Sequence, residues 1–270
     1  MYGEMSEKFN KLKNIIRRYN SVVIAFSGGV DSTFLARVAG DELGENVLLI
    51  TATSSTYPFY ELEDARKLAK FLKLKHRIIV SEEINIPGFA ENPPDRCYYC
   101  KSELFSLIKH IAEKEQYNMV LDGSNADDLN DYRPGRKALK ELGIISPLCE
   151  AGLTKAEIRT LSERLGLPTA NKPAYACLAS RFPYGEKITK EKLTRVEQSE
   201  KEIRDLGFTQ FRVRSHENLA RIEFNSGEIN RAWEMRVRLE DICKKAGFVY
   251  VAIDTHGYRT GAMNEALKEL

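Results

Sequence analysis

No apolar run in the sequence approaches the roughly 20 residues that a bilayer-spanning helix needs. The first twenty residues form a charged amphipathic segment and not a signal peptide. A cytoplasmic location without membrane contact is the expectation. Charge of one sign is also missing: 41 Lys and Arg stand against 39 Asp and Glu, a formal net charge of +2, so there is no global pull toward nucleic acid. Neither an internal repeat nor a low-complexity tract occurs. The four histidines (His76, His110, His216, His256) are scattered and show no metal or triad spacing. Cysteines number five, which in a reducing compartment favours metal or catalytic roles over disulfides. With 43% hydrophobic and 30% charged residues over 270 positions, the chain is globular and long enough for one large domain or two smaller ones.

The most informative stretch is 21–44. Val22, Val23, Ile24, Ala25 and Phe26 form an apolar run of strand length. Ser27-Gly28-Gly29-Val30-Asp31-Ser32 then turns the chain, and Thr33–Leu43 reads as a helix. Paired glycines admit backbone conformations closed to other residues and let a ligand approach. A helix N-terminus after such a turn offers unpaired N–H groups and a positive dipole end, which makes an anion site, most naturally for phosphate. The spacing is too short for a Walker A loop and lacks its closing Lys-Ser/Thr pair; GxGxxG is not present either. SGGVDS after a buried strand resembles the pyrophosphate loop of the ATP-pyrophosphatase superfamily, whose members split ATP between the α and β phosphates.

Further strands are expected at 46–52, 76–80 and 119–123, alternating with helices at 60–72 and 101–114, and an amphipathic helix precedes them at 6–19. This alternation predicts an α/β fold: a parallel sheet with helices on both faces, binding ligands at the carboxyl ends of its strands. After the 119–123 strand comes a carboxylate-dense loop with Asn125, Asp127, Asp128 and Arg133, placed to hold Mg²⁺ or a nucleotide. A short strand is expected at 144–148, and Thr154 with Glu157 forms a capping box for a helix over 154–165. From Phe182 the pattern changes: a charged helix at 189–206, an antiparallel strand pair at 210–215 and 219–224, a helix over 229–246 and a strand at 248–254. The expected division is a nucleotide domain over 1–181 and a small α+β substrate-binding or oligomerisation domain over 182–270.

Cys97 and Cys100 form a CxxC at a helix start, where the dipole favours thiolates and one metal can reach both sulfurs. Half a zinc site, a redox pair and part of an iron–sulfur site are all open readings. Cys177, on an irregular loop, is the natural third ligand; three cysteines leave one iron of a 4Fe-4S cluster open. Structural zinc with Cys149 as a fourth ligand is the rival, whereas Cys149 and Cys243 otherwise read as buried small hydrophobes. Arg212 and Arg214 alternate on one strand and share a face suited to phosphate or carboxylate, with Arg181 and Arg221 as extensions, unless they merely solubilise an exposed face. Glu200 and Glu223 are weaker candidates, read as exposed carboxylates.

Together SGGVDS (27–32), NPPDRCYYCK (92–101), DGSNADDLNDYRPG (122–135) and ACLASRFPYG (176–185) resemble the LarE family, ATP-dependent sulfur transferases that build the nickel-pincer nucleotide. The resemblance spans nearly the whole chain and implies a reaction. ATP and Mg²⁺ would adenylate a carboxylate of pyridinium-3,5-biscarboxylic acid mononucleotide, a small nucleotide substrate, and sulfur would expel AMP to leave a thiocarboxylate. Ser27, Gly28, Gly29, Asp31 and Ser32 would hold the ATP phosphates and Mg²⁺, with Asn125, Asp127, Asp128 and Arg133 on the nucleotide side. Arg212 and Arg214 would grip the substrate phosphate, with Arg181 nearby. Some members sacrifice the cysteine matching Cys177; others also have the CxxC and hold a 4Fe-4S cluster carrying an extra sulfide, the route implied by Cys97, Cys100 and Cys177 here. The sulfur donor that would replenish it is not implied, and a homo-oligomer is expected. The alternatives are a tRNA thiolase of the same superfamily and a non-catalytic ATP-binding protein with structural zinc.

Overall fold

The computed structural model describes residues 2–129, 134–173, 176–259 and 261–262. In chain order its elements are α1 (Tyr2–Arg17), β1 (Val22–Ala25), α2 (Val30–Leu43), β2 (Val47–Thr53), α3 (Phe59–Leu72), β3 (Lys75–Val80), α4 (Arg96–Lys114), β4 (Met119–Leu121) and α5 (Gly135–Glu141). These are followed by α6 (Pro147–Ala151), α7 (Lys155–Arg164), α8 (Lys190–Asp205), β5 (Phe211–His216), β6 (Leu219–Phe224), α9 (Ile229–Glu234), α10 (Arg236–Lys245) and β7 (Tyr250–Ile253). Contacts divide the chain into one unit of Met1–Ile86 with Asp95–Tyr175 and a second of Pro87–Pro94 with Ala176–Leu270. Among the described residues no helix is long and apolar enough to cross a membrane.

In the first unit the strands are parallel in the order β3-β2-β1-β4. Their side chains alternate between two cores. Val22, Ile24, Val47 and Leu49 join a cluster with Leu12 and Ile16 of α1, Phe34 and Leu35 of α2, Ala65 and Leu68 of α3 and Ile158 of α7. Val23, Leu48, Ile50 and Val120 meet Phe105 and Ile108 of α4 and Leu139 of α5 on the other face. Burial on both faces explains why these strands read as unbroken apolar runs. The strand order reverses direction between β1 and β4, so the crevice beyond their carboxyl ends is the expected ligand position.

In the second unit β5 and β6 are antiparallel and β7 adds parallel to β6. Phe208 and Phe211 pack on Phe224 at ring-centroid distances of 4.7 and 6.0 Å. Thr189 starts α8 by accepting from the Lys192 amide at 3.3 Å.

Three expectations need correction. The 144–148 strand is reduced to one bridge, Leu121 to Ile145, because Pro147 lacks the N–H a ladder needs and instead opens α6. The 229–246 helix is split at Met235, whose φ of −91° and ψ of 10° leave the helical region. Glu200 and Glu223, read as exposed carboxylates, are buried, and so are Arg212 and Arg214, which removes the alternative that these arginines merely solubilise an exposed face.

Candidate active site

The turn after β1 is shaped by two adjacent helices. Gly28 has φ +67°, and a β-carbon there would lie 3.1 Å from Ala65 Cα of α3. Gly29 is extended and serves as the N-cap of α2. The Thr33 amide is bonded to Gly29 O at 3.0 Å, so the amides of Val30, Asp31 and Ser32 precede the helical ladder. Ser27 Oγ accepts from the Gly29 amide at 3.3 Å and lies 3.1 Å from Ser32 Oγ, and Ser32 Oγ donates to Gly29 O at 3.3 Å. The two serines thus close the loop on itself while leaving the helix N-terminus facing outward.

Several groups around this loop were not singled out from the sequence. Tyr57 donates its hydroxyl to Ser27 O at 3.0 Å, and burial, followed by the charges of Glu61 and Asp64, pushes its phenol well above the usual range. Lys172 reaches Gly28 O at 3.3 Å, Glu61 Oε2 at 2.9 Å and Asp64 Oδ2 at 3.1 Å. Burial pulls the Lys172 ammonium down, yet its hydrogen bonds and the charges of Glu61 and Asp64 hold it above the ordinary lysine value. Lys155, the first residue of α7, pairs with Asp31 Oδ2.

The loop after β4 meets the phosphate loop directly. A β-carbon on Gly123 would come within 3.2 Å of the Ser32 amide, and Asn125 Nδ2 donates to Asp31 Oδ1 at 3.3 Å. Asp122 is buried and accepts from the Ser124 amide at 3.0 Å, Ser124 Oγ at 3.0 Å, Ser146 Oγ at 2.6 Å and Lys101 Nζ at 3.4 Å. Asp127 accepts from the Lys155 amide at 2.8 Å, and Asp128 from the Asn125 amide at 3.1 Å. Both carboxylates therefore brace the loop and the start of α7. Cys149 donates its thiol to Asn125 O at 3.1 Å; burial raises its pKa, and it is half-buried, less enclosed than expected. Arg133 lies outside the described residues.

Of the cysteines, Cys97 and Cys100 occupy the first turns of α4 in the first unit, and Cys177 belongs to the second. All are free of disulfides; Cys97 and Cys177 are exposed. Cys100 Sγ lies 3.8 Å from Glu83 Oε1, a carboxyl whose pKa burial raises. Among the described residues no three His, Cys, Asp or Glu side chains are gathered to hold a metal. Cys243 is buried, and burial pushes its thiol up to about 11.

Within the second unit the arginines and glutamates form a buried lattice. Arg181 is fully buried and grips Glu200 through Nε and Nη2, both at 2.8 Å, while Nη1 donates to Ala176 O at 2.8 Å and Cys177 O at 3.2 Å. Arg214 holds Glu223 Oε2 at 3.0 and 2.7 Å and donates to Ser180 O at 2.8 Å. Arg221 pairs with Glu223 Oε1 at 3.1 Å and with Asp254. Arg212 donates to Phe211 O at 2.6 Å and stacks on Tyr258 at 4.9 Å. Four guanidinium groups here sit among the carboxylates of Glu200, Glu223 and Asp254, and the Arg212 charge also acts on Glu200.

The asparagine synthase family model matches residues 14–207. An uncharacterized protein of Synechocystis is 45% identical over 97% of this chain and 99% of its own length. The pyridinium-3,5-bisthiocarboxylic acid mononucleotide synthase of Lactiplantibacillus plantarum is 38% identical over 91% of this chain and 90% of its own. An uncharacterized protein of Methanocaldococcus jannaschii is 32% identical over 94% and 98%.

Proposed function

The chain belongs to the LarE family of the ATP-pyrophosphatase superfamily, and from that premise we propose that it converts the carboxylates of pyridinium-3,5-biscarboxylic acid mononucleotide into thiocarboxylates at the expense of ATP. The observation that carries the reading is the phosphate loop: a glycine turn wedged against Ala65, opening α2 at the point where the strand order reverses. Ser27, Gly28, Gly29 and Ser32 bind the β and γ phosphates with the α2 amides. Asp31, which contacts Lys155 and Asn125 beside the loop, would take Mg²⁺. Asn125 lines the nucleotide side, and Asp127 and Asp128 keep that loop in shape.

A carboxylate oxygen is a poor leaving group. Its attack on the α-phosphorus releases pyrophosphate and gives an acyl-adenylate; sulfur then adds to the acyl carbon and AMP leaves with the bonding electron pair. The place of Arg212 and Arg214 at alternate positions of β5 supports their assignment to the substrate phosphate, with Arg181 and Glu200 holding that strand.

The donor set of Cys97, Cys100 and Cys177 fits a three-cysteine 4Fe-4S cluster in kind, since none of the three is tied up in a disulfide and two are spaced by one helical turn. Such a cluster, when bound, supplies an iron without a cysteine ligand on which an extra sulfide can ride. The test is anaerobic purification with iron, sulfide and zinc analysis, followed by incubation with ATP and the dicarboxylate. Expected are roughly four irons per chain, pyrophosphate and AMP in step, and a product heavier by the replacement of oxygen with sulfur. Zinc without iron would turn the cysteines into a structural site. Turnover without metal, leaving Cys177 lighter by one H₂S, would make that residue the donor.

A further inference from the structure

The peptide between Gly28 and Gly29 has glycine on both sides, so little steric cost opposes its reversal. Its orientation matters. In a trans peptide the carbonyl and the N–H point in opposite directions. One orientation offers the Gly29 N–H to an anion beyond α2, and the reverse puts a carbonyl oxygen there, where it would repel phosphate. Something outside the turn has to choose between them.

We propose that Lys172 makes this choice: it is a positioning residue that fixes the Gly28–Gly29 peptide so that the loop binds the pyrophosphate end of ATP. This rests on the ATP-pyrophosphatase reading above. The Lys172 ammonium donates to Gly28 O at 3.3 Å, which turns the Gly29 N–H away from it. That N–H now meets Ser27 Oγ at 3.3 Å, long for a hydrogen bond and easily given up to a phosphate oxygen. The ammonium has three N–H bonds and three acceptors: Gly28 O, Glu61 Oε2 and Asp64 Oδ2. Its side chain is only 14% exposed, so water competes weakly for it. Lys172 is held in turn, because the Arg159 guanidinium on α7 donates to Ala170 O and, at 2.9 Å, to Lys172 O. The loop is therefore clamped between Ala65 in front of Gly28 and Lys172 at its carbonyl.

An ordinary buried ion pair between Lys172 and α3 would predict lost stability alone; a peptide anchor predicts a loss confined to the phosphate ligand. The decisive probe is inorganic pyrophosphate with Mg²⁺, titrated calorimetrically into the full chain, beside the KM values for ATP and for the dicarboxylate. In Lys172→Met, pyrophosphate affinity should fall and the ATP KM rise by about tenfold or more, with the dicarboxylate KM unmoved. Lys172→Arg, which keeps charge and donors, should recover most of the affinity. Lys172→Met leaves buried Glu61 without its cation, so Lys172→Met/Glu61→Gln is the safer variant for folding. It should bind pyrophosphate as poorly as the single variant, because the peptide is still unanchored.

Wild-type affinity in the double variant would overturn the proposal, reducing Lys172 to a neutraliser of Glu61. So would a parallel rise of both KM values, or a wild-type chain that does not bind pyrophosphate. A wild-type chain that binds pyrophosphate in a Lys172-dependent way but forms no thiocarboxylate would leave the anchor standing and overturn the reaction assigned above.

Discussion

Gly28 and Gly29 are neighbours in sequence with unequal demands. At Gly28 the backbone sits at φ +67° and a β-carbon would meet the Ala65 backbone at 3.1 Å, so neither conformation nor space admits a side chain. At Gly29, an extended N-cap, the nearest obstacle is the mobile hydroxyl of Ser27 at 3.3 Å. Gly28→Ala should therefore cost about 1–3 kcal/mol of stability and most of the ATP-dependent pyrophosphate release, whereas Gly29→Ala should keep the melting temperature close to wild type. Equal melting temperatures for the two variants would refute this account. The SGGVDS spacing made the loop legible as an anion site from sequence, since glycine, serine and the following helix all lie within six residues. Lys172 was not legible. Its partners Glu61 and Asp64 lie 111 and 108 residues away, and nothing local distinguishes it from any other lysine.

At the scale of elements, the second unit joins a short turn at 178–181, α8 and β5 through one ion pair. Glu200 of α8 takes both arms of Arg181 and also accepts the Val213 amide of β5 at 3.0 Å. Arg181→Met would strand a buried carboxylate and should cost about 3–5 kcal/mol, most of it recovered when Glu200 is replaced by Leu as well. The pair also sets an acid limit. Burial would raise the Glu200 pKa, but the Arg181 charge and hydrogen bonds, joined by Arg212, hold it below the ordinary glutamate value. A depressed folded-state value means that the stabilisation is complete above about pH 4.3, the unfolded value, and fades as pH falls below it. The difference in melting temperature between wild type and Glu200→Gln should be full at neutral pH and shrink in acid; a difference independent of pH would remove Glu200 as the titrating group. Strand periodicity placed Arg212 and Arg214 on one face correctly but said nothing of burial. An alternating charged strand looks exposed until its counterions are known, and those arrive from α8 and β6. Pro147, by contrast, was visible in the sequence and should have ended the 144–148 strand.

For the whole molecule, the α/β alternation was legible because strands buried on both faces carry continuous runs of Val, Ile and Leu, and the helices between them repeat at helical spacing. The same overall view separates the proposed reaction from a tRNA thiolase, which shares the loop and the cysteines. Binding tRNA requires many phosphate contacts, and each adds to the salt dependence of affinity. Here the formal net charge is +2, and Arg181, Arg212, Arg214 and Arg221 are engaged with Glu200, Glu223, Asp254 and backbone carbonyls inside the second unit. A group so enclosed, with Arg181, Arg212 and Arg214 all buried, suits a single phosphate such as a mononucleotide carries and not a track of phosphates along RNA. Filter binding at several salt concentrations should accordingly find tRNA held no more tightly than the weak end of non-specific binding, about 10⁻⁴ M at physiological salt. Micromolar retention with a steep salt slope would reverse the assignment: the arginine lattice would then be one contact among many, and the carboxylate substrate would give way to a base in RNA.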